Sequence, residues 1–257
     1  MVTKMVTGFE SFKRWFSEHS EQYTIIGGTA CDLLMSEDGM DFRATRDIDM
    51  VLIVESLTPQ FGERFWAYVR DAGYEHMNKS TGEPQFYRFT KPKSRDYPYM
   101  IELFSRRADA IALSDDAVLT PLPLDHEISS LSAILLDDAY YQFLCKGKVM
   151  IEGVPILDAM HLIPFKAKAW LDLNQRKENG AKVDSKNIRK HKNDVIRLSM
   201  LLTENDTFAL PQAIRKDMQD FLAAMREEPI DLKALGIRGL SKEEFLKRLF
   251  TAYNLNK

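Results

Sequence analysis

The hydrophobic pattern of the chain changes near residue 155, and that change limits the architectures open to it. Before it, short extended runs alternate with segments of helical spacing; after Pro155 the pattern reads almost wholly helical. Phe9, Phe12, Trp15 and Phe16 recur at helical intervals and predict an amphipathic helix over 9–20. Residues 23–26 form a short apolar strand stopped by Gly27 and Gly28, with Thr29 placed to cap a helix carrying Ala30, Leu33 and Leu34. A charged loop over 36–45 leads into a β-branched strand over 47–54. Thr58-Pro59 opens a helix whose buried face is Phe61, Phe65, Tyr68, Val69 and Ala72 and whose stop is Gly73. Runs 85–90 and 97–105, joined by the polar KPKSRDYP, read as an antiparallel strand pair, and 132–136 and 142–151 as further strands. Ser241-Lys-Glu-Glu244 is a capping box before Phe245, Leu249, Phe250 and Tyr253. The expected class is α/β (α+β): a mixed sheet flanked by helices over 1–155 and a helical domain over 156–257.

Composition narrows the functional classes. With 257 residues, 45% hydrophobic and 28% charged, the chain can bury a sizeable core and is not of disordered type. Lys and Arg total 35 against 38 Asp and Glu, a net charge of −3, which excludes a broadly cationic nucleic-acid binder but leaves room for a local basic groove. Cys31 and Cys145 are too few for a disulfide framework and lack zinc-ligand spacing. The opening MVTKMVTGFESFKRW has no apolar h-region, and apolar runs such as 50–54 fall far short of the ~18 residues a spanning helix needs. A cytoplasmic protein with no membrane partner is expected.

Three pieces carry chemistry. Gly27-Gly28-Thr29 sits between a strand and a helix, where glycines admit a close ligand and a helix N-terminus presents N–H groups to an anion; on its own, such a turn is more often only a turn. Asp47-Ile48-Asp49 opens a strand, and period-two alternation puts both carboxylates on one face ~7 Å apart, with Ile48 and Met50 facing the core. Two such acids suit hard cations, which prefer oxygen ligands; a solvated strand edge is the plainer alternative. Glu102 stands in the apolar run Tyr99-Met-Ile-Glu-Leu-Phe104, where an acid must be paired, protonated, metal-bound or turned outward. If its strand lies beside that of Asp47, the acids form a three-carboxylate cluster.

Taken in this order, the motifs resemble the nucleotidyltransferase superfamily that includes DNA polymerase β. Tyr23-Thr-Ile-Ile-Gly-Gly-Thr-Ala30 and Arg43-Ala-Thr-Arg-Asp-Ile-Asp49 are similar, more closely, to the AbiEii/AbiGii toxin-like branch, over roughly the first 105 residues. The resemblance implies a polymerase-β-like core and transfer of an NMP from a nucleoside triphosphate to an acceptor hydroxyl, with release of pyrophosphate. It further implies Asp47, Asp49 and Glu102 as ligands of two Mg²⁺ ions ~3.5–4 Å apart, with Glu102 also helping to deprotonate the acceptor. Gly27, Gly28 and Thr29 would cradle the β- and γ-phosphates, and Arg43 and Arg46 would contact phosphates or offset the acids. Glu102 stands where Asp is commoner in the superfamily. An RNA acceptor such as a tRNA end, and a small cognate antitoxin of a type IV toxin–antitoxin system, would follow from the branch. A small-molecule alcohol as acceptor and a non-catalytic nucleotide-binding sensor are the competing readings.

The segment from Lys166 to Arg197 holds ten Lys and Arg against four acids, a charge of +6 beside −9 for the remainder. A basic block suits a triphosphate or a nucleic-acid backbone. On a helical wheel Lys166 falls inside the arc of Phe165, Ala169, Trp170 and Leu173, whereas Lys168 falls outside it near Asp172. An inward lysine snorkels or meets an anion; Lys166, matching a lysine of the AbiEii-like branch, is the candidate for the triphosphate. His191 shares a stripe with Ile188, Val195, Leu198 and Leu202 and reads as a packed histidine. Lys190 and Asp194 are spaced for an i,i+4 ion pair, and the branch's late Lys/Arg-x-x-x-Asp element makes both candidate site residues.

Overall fold

The computed structural model describes residues 7–76, 88–106, 134–135 and 137–255, which pack as two compact units. The first comprises the described residues up to 106 together with Lys148–Asp158; the second comprises those from 134 to Gly147 and those after Asp158. The partition is therefore interrupted in sequence: a helix of the second unit precedes the last strand pair of the first.

Along the first unit run α1 (Phe9–Phe16), β1 (Tyr23–Ile26), α2 (Gly27–Glu37), β2 (Asp47–Leu52), α3 (Pro59–Ala72), β3 (Arg88–Thr90), β4 (Met100–Phe104), β5 (Lys148–Ile151) and β6 (Val154–Leu157). The described strands form one mixed sheet in the spatial order β3-β4-β2-β1-β6-β5, which makes the class α/β. β2 runs antiparallel to β1 and parallel to β4, β3 is antiparallel to β4, and β6 is parallel to β1.

Alternation along these strands divides the sheet chemically. Tyr23, Ile25, Ile48, Met50, Phe89 and Ile101 share one side and are fully buried. Aromatic side chains of α1 and α3 cover that side. The Phe16 ring lies 6.2 Å from those of Tyr23 and Phe65, and Phe65 lies 5.2 Å from Phe89 in an edge-to-face contact. Thr58 caps α3 by accepting from the Phe61 N–H, and Gly73 ends it at φ 65°. The other side of β2 and β4 carries Asp47, Asp49 and Glu102.

Several sequence expectations are corrected. α1 stops at Phe16, where the apolar stripe runs out, and Ser17–Gln22 is a 3₁₀ segment. The run 142–151 is helical as far as Lys146 and extended only from Lys148. Its helix, α4 (Asp138–Lys146), is started by Asp137, whose carboxylate accepts from the Ala139 and Tyr140 N–H groups at 2.8 and 3.1 Å. Tyr140, Tyr141, Phe143 and Leu144 then bury one helical face, a spacing that overrides their strand propensity. Ile134 and Leu135 are helical rather than extended; residues 132, 133 and 136, like 85–87 of the expected strand 85–90, lie outside the described residues. Pro155 belongs to β6, so the helical part begins after the strand rather than at that proline.

The second unit continues with α5 (Ala159–Glu178), α6 (Ser185–Leu198), α7 (Gln212–Glu227) and α8 (Lys242–Ala252), α5 packing on α6 and α7. Pro164 lies inside α5 and cannot donate to the carbonyl of Met160. The hydroxyl of Tyr253, which closes α8, donates to that carbonyl at 2.8 Å instead. The capping box at Ser241 and Glu244 is formed as expected. No described helix is long and apolar enough to cross a membrane.

Phe16 is 0% exposed and meets the rings of Phe12, Tyr23, Phe61, Phe65 and Tyr68. Phe16→Ala is expected to cost about 3–5 kcal/mol, read as a lowered midpoint in urea unfolding.

Candidate active site

The strand register brings the glycine turn to the acids. β1 pairs Ile26 with Asp49, so the chain turns into α2 directly beside that carboxylate. Gly27 has φ +72°, and a Cβ built on it would lie 1.6 Å from Asp49 Oδ2. Glycine is thus required twice, by the left-handed backbone and by the neighbouring oxygen. A Cβ on Gly28 would meet Thr45 Oγ1 at 2.8 Å and the Arg43 guanidinium at 3.2 Å. Because α2 begins at Gly27, Thr29 is not its cap. The Thr29 side chain is buried and its hydroxyl donates to the Asp47 carbonyl at 2.6 Å, tying the first turn of α2 to the start of β2.

The parallel pairing of β2 and β4 sets Asp49 opposite Glu102, and β3 sets Arg88 opposite Glu102 on its other flank. A row Arg88–Glu102–Asp49 therefore crosses three strands and ends at the glycine turn. Arg88 donates from Nε at 2.8 Å and from Nη2 at 2.7 Å, both to Oε1 of Glu102. The Glu102 side chain is 12% exposed and shares its side of the sheet with Asp49, its partner on β2. Burial, and after it the charge of Asp49, push the Glu102 carboxyl up to about 8, against the opposing pull of Arg88. Of the alternatives open to an acid in an apolar strand, Glu102 is paired, with Arg88 on one flank and Asp49 on the other.

Asp47 shares the same side of β2 but pairs with Met100, one row away. Among the described residues, no group of three or more His, Cys, Asp and Glu side chains is gathered closely enough to hold a metal ion. The expected three-carboxylate cluster is accordingly a joined pair, Asp49 and Glu102, with Asp47 two residues along. The pair still suits a hard cation, because its donors are all oxygen and Mg²⁺ is usually held by one or two carboxylates plus substrate phosphates. Two facing carboxyl groups also need either a proton or a cation between them.

Of the other candidates, Arg43 is half-buried beside Gly28, with its guanidinium 5.1 Å from the centroid of the Phe42 ring. Its charge partly offsets the effect of burial, which raises the Asp32 carboxyl on α2. Arg46 is exposed, and its carbonyl accepts from the Tyr99 N–H at 3.2 Å. In the second unit Lys166 is buried, as its wheel position requires, and meets Asp194 at 3.0 Å. Asp194 is thus joined to Lys166 on α5, while Lys190, its expected partner along α6, is exposed. Lys168 pairs with Asp217 and Asp172 with Arg176, not with each other, and Lys192 pairs with Glu228. The basic block is therefore offset at several positions, and Lys177, Lys182, Lys186, Arg189 and Lys190 are the members exposed to solvent. His191 is half-buried on its apolar stripe.

Arg88 was not legible as a site residue. The only signal was that Glu102 needed a partner, and nothing in the spacing between residues 88 and 102 identifies which basic residue supplies it.

The raised proton affinity of Glu102 has a stability consequence with a definite sign. A carboxyl whose folded value lies above the ordinary 4.5 stabilises the fold fully below 4.5, and that contribution is lost as pH rises through about 8. Thermal melts of wild type and Glu102→Gln between pH 5 and 9 are expected to diverge accordingly, the wild type losing more melting temperature toward the alkaline end.

Compared with family models, curated proteins and solved structures, the chain matches none.

Proposed function

We propose that the first unit is the core of a metal-dependent nucleotidyltransferase of polymerase-β-like type, moving an NMP from a nucleoside triphosphate to an acceptor hydroxyl. The observation that carries the reading is the row Arg88–Glu102–Asp49 ending on Gly27 at the start of an eleven-residue helix. Carboxylates and a helix N-terminus side by side offer a cation and an anion adjoining sites, the combination a triphosphate with its counter-ion requires.

In this reading the N-terminal turn of α2 faces the β- and γ-phosphates, and the two glycines keep side-chain bulk out of their way. Thr29 acts through its bond to Asp47, which fixes where the helix begins. Divalent cations held by Asp49 and Glu102, with Asp47 beside them, would supply charge stabilisation at the attacking and leaving oxygens. The acceptor oxygen forms a bond to the α-phosphorus while the bond to the bridging oxygen of the β-phosphate breaks, so that pyrophosphate leaves. The hydroxyl proton leaves with the help of Glu102, which the strand register sets beside Asp49. The second unit, taken by itself, presents Lys186, Arg189 and Lys190 to solvent on α6, a basic face of the kind a polyanion such as RNA would contact.

Purified protein incubated with each α-labelled NTP and Mg²⁺, in the presence of total RNA or of a small-molecule pool, is expected to transfer label into the RNA fraction. Asp47→Asn and Asp49→Asn should each reduce transfer by at least about 10²-fold, the scale of a lost charge-stabilising group, with unchanged circular dichroism. Equal labelling by these variants would remove the assignment, and label confined to small molecules would replace the acceptor. Growth arrest on overexpression of wild type but not of Asp49→Asn would support the toxin-like reading.

A further inference from the structure

We propose that Arg88 is a positioning residue of this site, holding the Glu102 carboxyl in the orientation in which it joins Asp49 in receiving a divalent cation. The proposal rests on the functional reading above and adds to it a residue outside the Gly-Gly-Thr and Asp-x-Asp motifs.

Three observations carry it. Arg88 uses two donors of one guanidinium edge, Nε and Nη2, on a single oxygen of Glu102, which restrains rotation of the carboxyl as one point charge would not. The strand that carries it is itself braced on both sides: β3 pairs with β4, and Thr90 exchanges backbone hydrogen bonds of 2.8 Å in both directions with Glu75. The side chains are 28% and 12% exposed, so the pair is sheltered from water and is not a solvated surface contact. An edge-strand arginine thus reaches inward to an acid whose other neighbour is Asp49, and with Oε1 engaged the carboxyl cannot easily turn away from it. Groups that orient a metal-binding side chain from outside the ligand set typically change metal affinity by about 10–100-fold when removed.

The test is the binding of Mn²⁺ with tripolyphosphate to the full chain, followed by the electron paramagnetic resonance signal of unbound Mn²⁺; this probe needs neither the right base nor the acceptor. Arg88→Ala is expected to weaken binding by about 10-fold or more, with part of the loss recovered by added methylguanidine. Arg88→Lys, which keeps the charge and loses the two-donor edge, should fall between the two. Binding by Arg88→Ala as tight as wild type or tighter, a loss that methylguanidine leaves unchanged, or Arg88→Lys equal to wild type would each overturn the proposal. If Arg88→Ala fails to fold, as judged by thermal melts, the comparison of Arg88→Lys with wild type decides alone. Absence of Mn²⁺ binding by the wild type would overturn the nucleotidyltransferase reading itself and this proposal with it, an outcome distinct from failure of the Arg88 contrast.

Discussion

Two carboxyl groups held side by side on adjacent parallel strands cannot both ionise without mutual repulsion, and Asp49 and Glu102 are so held. What surrounds them answers that conflict. Arg88 brings a positive charge to one oxygen of Glu102, burial raises its proton affinity, and the Asp49 carboxylate lies against a turn with no side chain to crowd it. The glycine turn, the strand register and the reach of Arg88 are separate features of sequence, yet each has its sense at this pair. A carboxyl pair that is relieved by either a proton or a cation favours positive charge at this spot, and that preference underlies the proposed chemistry.

The aromatic side of the same sheet gives the pair its rigidity. Tyr23, Ile48, Met50, Phe89 and Ile101 alternate with the polar positions on β1 to β4 and are closed over by rings from α1 and α3. A one-residue slip of β2 against β4 would exchange Ile48 and Met50 with the acids and expose the apolar set to water. Burial on one side thus fixes the register that aligns Asp49 with Glu102 on the other.

Much of this was legible before any coordinates. The alternation of Asp47-Ile48-Asp49, the isolated acid in the β4 run, the Thr58-Pro59 helix start and the inward position of Lys166 follow from spacing alone, and each is found in the structure. What spacing could not supply is the choice of partner across elements. Lys166 had to meet an anion, but that it meets Asp194 from the next helix depends on how α5 and α6 pack. Lys168 passes over Asp172 for Asp217 on α7 for the same reason. A hydroxyl near a helix start suggests a cap at Thr29 and a helix from Ala30, whereas α2 begins three residues earlier, at the left-handed Gly27, and leaves Thr29 facing β2. The run 142–151 reads as a strand by propensity, whereas the cap at Asp137 and the buried face of α4 make it helical as far as Lys146.

The proline in α5 ties together parts of the second unit that are distant in sequence. Its missing donor leaves the Met160 carbonyl to the hydroxyl of Tyr253, 93 positions further along. The Met160 carbonyl is half-buried, and the docked end of α8 supplies the donor that Pro164 cannot. Undocking of α8 and bending at the proline are thereby coupled into a single opening event, and amide exchange around Met160 should report on a helix that does not adjoin it in the chain.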